Sequence, residues 1–166
     1  MNRDQYIRMT SRVRRATQKL PGGTSILRLP TLICAAAYIA ALLTLAVGRD
    51  MRLIRALIVP ACCFGIVTVL RPLIGRQRPY DRFDTEPVGR YRRGKGKSMP
   101  SRHTASAAAI ACAVIYVFPS WPIAVAMLLL CALIAALRVL SGQHYTSDVL
   151  AALALSFILS LIGYTL

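Results

Sequence analysis

The stretch Arg138-Val139-Leu140-Ser141-Gly142-Gln143-His144-Tyr145-Thr146-Ser147-Asp148 separates two apolar runs, residues 123–137 and residues 149–166. Both runs are free of charge, which is typical of helices that span a lipid bilayer. The stretch between them carries an arginine, a histidine and an aspartate. Such groups are expensive to place at the edge of a membrane and therefore indicate function. The pattern predicts two membrane helices joined by a polar turn that holds part of a functional site.

The whole chain follows the same pattern. It has 166 residues, of which 56% are hydrophobic, and a mean hydropathy of +0.54. This composition excludes an ordinary soluble domain, and the length allows one domain. We expect an all-α, integral-membrane helical bundle with about five transmembrane helices, preceded by a basic amphipathic helix. The predicted parts are a leader at residues 1–28 and one membrane domain at residues 29–166, with spans at residues 29–47, 53–70, 104–118, 123–137 and 149–166.

The first span is interpreted as a true membrane helix. A cleaved signal peptide is the alternative, but the basic leader before the span is long and no small-x-small cleavage site follows it. Seven Lys and Arg residues precede this span, and the first loop on the opposite side contributes Arg49, Arg52 and Arg55. The positive-inside tendency therefore places the leader in the cytoplasm.

The charge balance narrows the class of partner. The chain has 21 Lys and Arg residues against 6 Asp and Glu, a formal net charge of +15. Such a balance suits nucleic acid, anionic lipid or a phosphorylated substrate. The basic residues gather in residues 3–28 and 71–102 and avoid most of the apolar runs, which favours a membrane edge over nucleic acid. The five cysteines lie inside apolar runs without histidine at metal-ligand spacing, so we expect no metal and no other cofactor.

The order of the spans predicts which polar residues meet. When consecutive helices cross in opposite directions, the end of span two, the start of span three, the end of span four and the start of span five face one side. The unusual polar residues stand at those four points: Arg71, Arg78, His103, Arg138, His144 and Asp148. We expect them to converge on one rim of the bundle.

His144 and Asp148 are candidates for a catalytic pair. Residues four apart on a helix share a face, so Asp148 is expected to accept a hydrogen bond from one ring nitrogen of His144. That bond would fix the tautomer and make the other nitrogen more basic, so that it could attack phosphorus and carry the phosphoryl group. A purely structural contact at a helix start is the alternative for this pair taken alone.

Ser101 and His103 begin the third apolar run. A Pro-Ser pair before such a run is typical of a helix N-cap, and a helix N-terminus suits a phosphate. His103 would then stand beside the bound anion and protonate the leaving oxygen. The alternative is a plain cap with an interfacial histidine.

Three arginines complete the candidate site. Guanidinium groups grip phosphate oxygens with two bonds and keep their charge, so Arg71, Arg78 and Arg138 together could neutralise a phosphate as a metal does. For any single arginine, an anchor to lipid headgroups is the alternative. That alternative leaves the two histidines unexplained.

The segment Gly94-Lys95-Gly96-Lys97-Ser98 is similar in sequence to part of a phosphate-binding loop. The motif requires glycine five positions before Gly96, where this chain has Tyr91, and no strand precedes it. We therefore interpret the segment as a basic lid or a headgroup contact.

Taken together, the polar segments resemble the type 2 phosphatidic acid phosphatase family. That family carries Lys-x6-Arg-Pro, then Pro-Ser-Gly-His, then Ser-Arg-x5-His-x3-Asp. The first block is matched by Arg71 to Pro79, with Arg in place of Lys, and the second by Pro100 to His103. The third is matched by Arg138, His144 and Asp148. All three blocks occur in the family's order.

The resemblance implies a role for each matched residue. His144 would be the nucleophile, Asp148 its partner and His103 the general acid. The residues implied in phosphate binding are Arg71, Arg78, Ser101 and Arg138. Arg102 stands where the family has Gly, and we expect it to touch the substrate or to seal the pocket. Leu137 stands where the family has Ser and removes a possible hydrogen bond. Family members need no metal and commonly have six spans, against five counted here.

These observations predict a membrane-embedded phosphatase that acts on a lipid phosphate or diphosphate through a phosphohistidine. Phosphatidic acid, phosphatidylglycerol phosphate, a polyprenyl diphosphate and a phosphorylated polyprenyl sugar all fit. The alternatives are a non-catalytic scaffold of the same fold and a phosphotransferase to an acceptor other than water. The expected partners are the lipid substrate and membrane lipids, and no nucleic acid is expected. An oligomer is compatible with the sequence but is not indicated by it. We expect a multi-pass protein of the cell membrane. The leader's charge predicts a cytoplasmic active site, whereas integral family members usually point it outward.

Overall fold

The computed structural model describes residues 2–91, 93 and 97–166, and these residues form helices and turns with no strand among them. The predicted all-α class is confirmed. The helices are α1 Arg3–Gln18, a 3₁₀ helix Gly23–Arg28, α2 Leu29–Val47, α3 Arg52–Ile74, α4 Pro79–Arg82, α5 Arg102–Val117, α6 Trp121–Leu140 and α7 Thr146–Thr165.

Four of the helices, α2, α3, α6 and α7, are long and apolar enough to cross a membrane. Helix α5 is apolar but has only 16 residues. At 1.5 Å per residue it is about 24 Å long, less than the ~30 Å hydrocarbon core of a bilayer. The predicted count of about five spans is therefore met by four full spans and one shorter helix.

Helix α5 forms the centre of the bundle and packs against α2, α3, α6 and α7. Its contact positions are mostly alanine, and small side chains let neighbouring helix backbones approach closely. The buried alanines of α5 are Ala105, Ala107, Ala108, Ala109, Ala111 and Ala113. The short helix is thus enclosed by the longer ones.

The outer faces of the long helices carry large apolar side chains. Leu32 on α2, Leu129 on α6 and Leu161 on α7 are each more than 60% exposed. Exposed apolar surface on this scale is typical of a membrane interaction. The described chain therefore forms a membrane protein whose long helices face lipid.

Three of the helices extend beyond the apolar runs of the sequence into the polar edge of the bundle. Helix α3 continues past Leu70 to Ile74, so Arg71 lies in its last turn, and α6 continues past Leu137, so Arg138 lies in its last turn. Helix α5 begins at Arg102, which puts His103 in its first turn. Long cationic side chains at helix ends reach the polar edge, so the helix backbone need not stop where charge begins.

The predicted N-terminal helix is present as α1. Its buried residues are Tyr6, Thr10 and Thr17, so a polar face packs against protein. The chain then turns at Gly22, whose φ of +88° lies in the left-handed region that glycine adopts readily. The division into a leader and a membrane domain stays a prediction, although contacts cross it at α1 and at the 3₁₀ helix.

Candidate active site

The polar ends of α3, α5 and α6 open onto one cleft of about 1040 Å³. Five of the eight predicted site residues line it: Arg71, Arg78, Arg102, His103 and Arg138. The other three are buried beside it, with Ser101 and Asp148 at 0% exposure and His144 at 2%. The structure thus brings the three sequence blocks together at one edge of the bundle.

Asp148 lies in the first turn of α7, and its side chain accepts three hydrogen bonds. Its Oδ2 accepts a hydrogen bond from the backbone N–H of Tyr145 at 2.9 Å and another from the hydroxyl of Ser98. Its Oδ1 lies 2.7 Å from Nη1 of Arg76. A buried carboxylate keeps its charge only when it is paired and hydrogen-bonded in this way.

His144 is close to Asp148, but the direct hydrogen bond expected between them is replaced by a longer contact. The Nδ1 atom of His144 lies 3.6 Å from Oδ2 of Asp148, beyond normal hydrogen-bond length. The reason is local structure: α7 begins at Thr146, so His144 precedes the helix and does not share its face with Asp148. The hydroxyl of Ser98 lies 3.5 Å from the same nitrogen.

The environment of His144 favours the neutral ring. Burial lowers the pKa of His144 below its ordinary value of 6.5, and the nearby carboxylate of Asp148 opposes that shift. A neutral imidazole has a lone pair on one nitrogen, which a nucleophile requires.

Ser101 and His103 differ in exposure. Ser101 occupies the N-cap position of α5, but its side chain makes no capping bond to the helix backbone. Its oxygen instead accepts a hydrogen bond from the hydroxyl of Thr104 at 3.1 Å, and its backbone N–H donates to the carbonyl of Asp148 at 3.1 Å. His103 is exposed and lines the cleft. The start of α5 is therefore tied to the start of α7 and presents His103 to the cleft.

The three predicted phosphate-binding arginines approach the cleft from different elements. Arg71 is buried at the end of α3, and its guanidinium donates to the carbonyl of Lys97. Arg138 donates from Nη1 to Oε1 of Gln143 at 2.6 Å. Arg78 precedes α4. None of the three forms an ion pair with a carboxylate in the described part of the chain, so their charge is available to an anion.

Several residues of the site lay outside the sequence prediction. Arg76 lies only two positions before Arg78, and a second arginine inside the first block was the only available signal. Ser98 lies 50 residues from Asp148 in sequence, and no spacing indicates that pairing. Gln143, which holds Arg138, also donates to the carbonyl of Val88 at 3.3 Å.

The basic segment at residues 94–98 is described only in part. Gly94, Lys95 and Gly96 lie outside the described residues, so the lid or headgroup role predicted for them stays a prediction. Lys97 lines the cleft and Ser98 is fully buried. The end of the segment therefore belongs to the site.

The described residues contain no group of three or more His, Cys, Asp or Glu side chains that could hold a metal ion. The charges that face the cleft are mainly cationic, which suits an anion rather than a metal.

Replacing Arg76 tests the ion pair of Asp148. The variant Arg76→Gln leaves the buried carboxylate without its cation, and we expect the free energy of unfolding to fall by roughly 1–3 kcal/mol, less than for a fully buried pair because Arg76 is partly exposed. Thermal unfolding of the purified protein in detergent measures this. Arg82→Gln, an exposed arginine nearby, is the control. Equal shifts for the two variants would contradict the assignment.

Comparison with known proteins gives two matches. A model of the PAP2 superfamily matches residues 50–166, well over half of the chain. The fold is similar to the crystal structure of a transmembrane PAP2-type phosphatidylglycerolphosphate phosphatase from Bacillus subtilis, with a TM-score of 0.70 and 19% sequence identity over 98% of this chain and 84% of that chain. At this identity the likeness shows the fold alone. No curated protein matches the chain in sequence.

Proposed function

Because the chain belongs to the PAP2 superfamily, we propose that it is a membrane-embedded phosphatase that releases phosphate from a lipid phosphate or diphosphate through a phosphohistidine on His144. Family membership supports lipid phosphatase activity, and the substrate and the chemical steps are inferred from the site. The observation that carries the proposal is the cleft at the polar edge of the bundle. It is lined by His103 and by Arg71, Arg78 and Arg138, which form no ion pair with a carboxylate among the described residues. His144 and Asp148 are buried beside it.

Arg71, Arg78 and Arg138 are the proposed phosphate-binding residues. Their guanidinium groups can each donate two hydrogen bonds to phosphate oxygens, and they stay charged at every physiological pH. Phosphoryl transfer depends mainly on positioning and on neutralising the charge of the transferred group. Three fixed cations can supply both, so the proposed reaction needs no metal. Arg102 is exposed, lines the same cleft and is proposed to touch the substrate.

The first chemical step is attack by His144. Its Nδ1 faces Ser98 and Asp148. Because the hydroxyl of Ser98 donates a hydrogen bond to Asp148, its oxygen can accept a hydrogen bond from the Nδ1–H group of His144. This leaves the lone pair on Nε2. Nε2 attacks phosphorus, a P–N bond forms and the bond from phosphorus to the lipid oxygen breaks.

His103 is the proposed general acid and base. It lies in the cleft, where it can give a proton to the lipid oxygen as that group leaves. It then takes a proton from a water molecule that attacks the phosphohistidine. The P–N bond breaks, inorganic phosphate leaves and His144 is regenerated. Asp148 stabilises the imidazole while the phosphoryl group is attached.

The cleft also suits the lipid part of the substrate. Leu27, Leu32, Ile134 and Leu137 line it together with the cations. An amphiphile whose phosphate meets the arginines can therefore keep its apolar chain against leucine and isoleucine. Phosphatidic acid, phosphatidylglycerol phosphate, a polyprenyl diphosphate and a phosphorylated polyprenyl sugar share this chemistry, and we propose that the substrate is one of them.

Phosphate release from these four lipids, measured with the purified protein in detergent and EDTA, tests the proposal. We expect turnover of at least one lipid in EDTA, and His144→Ala should reduce it by at least about a thousandfold because the nucleophile is lost. Size-exclusion elution and thermal unfolding check that the variant is folded.

Four outcomes would count against the proposal. Near-normal turnover by His144→Ala would remove the nucleophile assignment, and strong inhibition by EDTA would indicate a metal. Phosphate transfer to an added alcohol in place of release would favour the phosphotransferase. A wild-type chain inactive on every lipid would favour a non-catalytic scaffold.

Arg78→Lys tests whether the guanidinium fork is needed. Lysine keeps the charge but cannot make two parallel hydrogen bonds, so we expect kcat/KM to fall roughly tenfold, about 1.4 kcal/mol. Arg82→Lys makes the same change at an exposed arginine outside the cleft lining and should leave kcat/KM unchanged. Equal values for Arg78→Lys and wild type would argue against bidentate binding.

We further propose that the protein lies in the cell membrane with its active site on the cytoplasmic side. The leader carries seven Lys and Arg residues, and α1 contacts the same polar edge as the site. Because α7 runs away from this edge, Leu166 would lie on the opposite side. A reporter fused after Leu166 should therefore be active only outside the cytoplasm. Activity only in the cytoplasm would reverse the orientation.

A further inference from the structure

Helix α1 makes a specific contact with the turn that carries His144. The side chain of Tyr6 is completely buried, and its hydroxyl donates a hydrogen bond to the carbonyl oxygen of Gly142 at 3.1 Å. Its ring lies 5.5 Å from the ring of Phe83, centroid to centroid. A fully buried tyrosine with a satisfied hydroxyl is a fixed contact, unlike the loose packing of a leader that only rests on lipid.

Gly142 packs so closely against α1 that there is no room for a side chain at this position. A Cβ atom at this position would lie 2.4 Å from the hydroxyl oxygen of Tyr6 and 2.7 Å from Cγ2 of Thr10. Its φ of +74° is in addition one that other residues rarely adopt. Both constraints keep the backbone of the turn directly against the helix.

The turn held in this way carries two groups of the candidate site. Gln143 follows Gly142 and holds Arg138 through the hydrogen bond of 2.6 Å. His144 comes next, and its backbone N–H donates to the carbonyl of Arg138 at 3.2 Å. A shift of Gly142 would therefore move the proposed nucleophile, which is two residues away.

Helix α1 is also bound to a second segment of the chain. Arg3 donates from Nε to the carbonyl of Phe83 at 3.4 Å, and Arg14 donates to the carbonyl of Glu86 at 3.3 Å. The loop that receives these bonds is joined to the His144 turn, because the N–H of Val88 donates to the carbonyl of Ser141 at 2.9 Å. The helix thus bridges two polar segments that border the cleft.

We propose that α1 is a clamp that holds the His144 turn in its reactive position, with Tyr6 as the positioning residue. This role rests on the proposed function. The family model matches residues 50–166 and does not include α1. The proposed clamp therefore concerns a part of the chain that the family model does not describe. Burial raises the pKa of Tyr6 to about 12, and the hydroxyl therefore remains a donor throughout the working pH range.

The test compares Tyr6→Phe and Tyr6→Ala with wild type in the full chain. Tyr6→Phe removes only the hydroxyl, and we expect kcat to fall about threefold to tenfold with KM within twofold. KM should change little because Arg71 and Arg78 lie outside the clamped turn and Arg138 is carried by the last turn of α6. Tyr6→Ala also removes the ring and should lower kcat further. Hydrogen exchange of the amides at residues 141–145 should speed up in both variants, since the turn opens more often.

Tyr38→Phe is the matched control. The hydroxyl of Tyr38 on α2 donates to the carbonyl of Ala56 on α3 at 2.8 Å, a bond of the same kind away from the cleft lining. This variant should keep kcat and the exchange rates of the turn. Values of kcat within twofold of wild type for both Tyr6 variants, or unchanged exchange at residues 141–145, would overturn the clamp.

The two measurements separate the clamp from the proposed function. If the wild-type chain releases no phosphate from any of the four lipids, the proposed function fails, and the exchange rates alone decide whether α1 restrains the turn. If phosphate is released and only KM rises in Tyr6→Phe, α1 serves binding and the positioning role is overturned.

Discussion

The buried carboxylate of Asp148 is the constraint on which the polar edge of this bundle depends. A charge without solvent contact must be compensated locally, and the compensation comes from Arg76, from the hydroxyl of Ser98 and from the N–H of Tyr145. The carbonyl of the same residue accepts from Ser101. Asp148 therefore joins the segment after α3, Ser98, the start of α5 and the start of α7. The helices are fixed relative to each other where the chemistry is proposed.

The arginines at this edge divide into two kinds. Arg76 is neutralised by Asp148 and stacks over the ring of Tyr145 at 4.3 Å, so it serves the structure. Arg71, Arg78 and Arg138 lack such partners in the described chain and face one cleft. Arginines held close to one another repel, and a phosphate bound between them would relieve this repulsion. The same arrangement that costs stability therefore favours an anion, as a phosphatase requires.

The sequence was sufficient to predict the all-α class of fold and the convergence of the three sequence blocks on one edge of the bundle. Apolar runs and short turns determine which helix ends lie on the same side. The predicted direct hydrogen bond between His144 and Asp148 was wrong. The prediction placed both residues on one helix, whereas α7 begins two residues after His144. Ser98 and Arg76 lie 50 and 72 residues from Asp148, and no periodicity relates positions so far apart. The docking of α1 was missed because its buried face is made of Tyr6, Thr10 and Thr17, whereas an amphipathic leader was expected to bury apolar residues in lipid.

The buried network around Asp148 is proposed to present a neutral imidazole to a phosphate held by guanidinium groups. Rapid acid-free quenching of turnover with a lipid substrate labelled in its terminal phosphate, followed by peptide mapping, tests it most directly. The account predicts label on His144 that is stable in base and labile in acid. It also predicts less label in Asp148→Asn and none in His144→Ala. Label on another side chain, or turnover with no labelled protein at any time point, would contradict it.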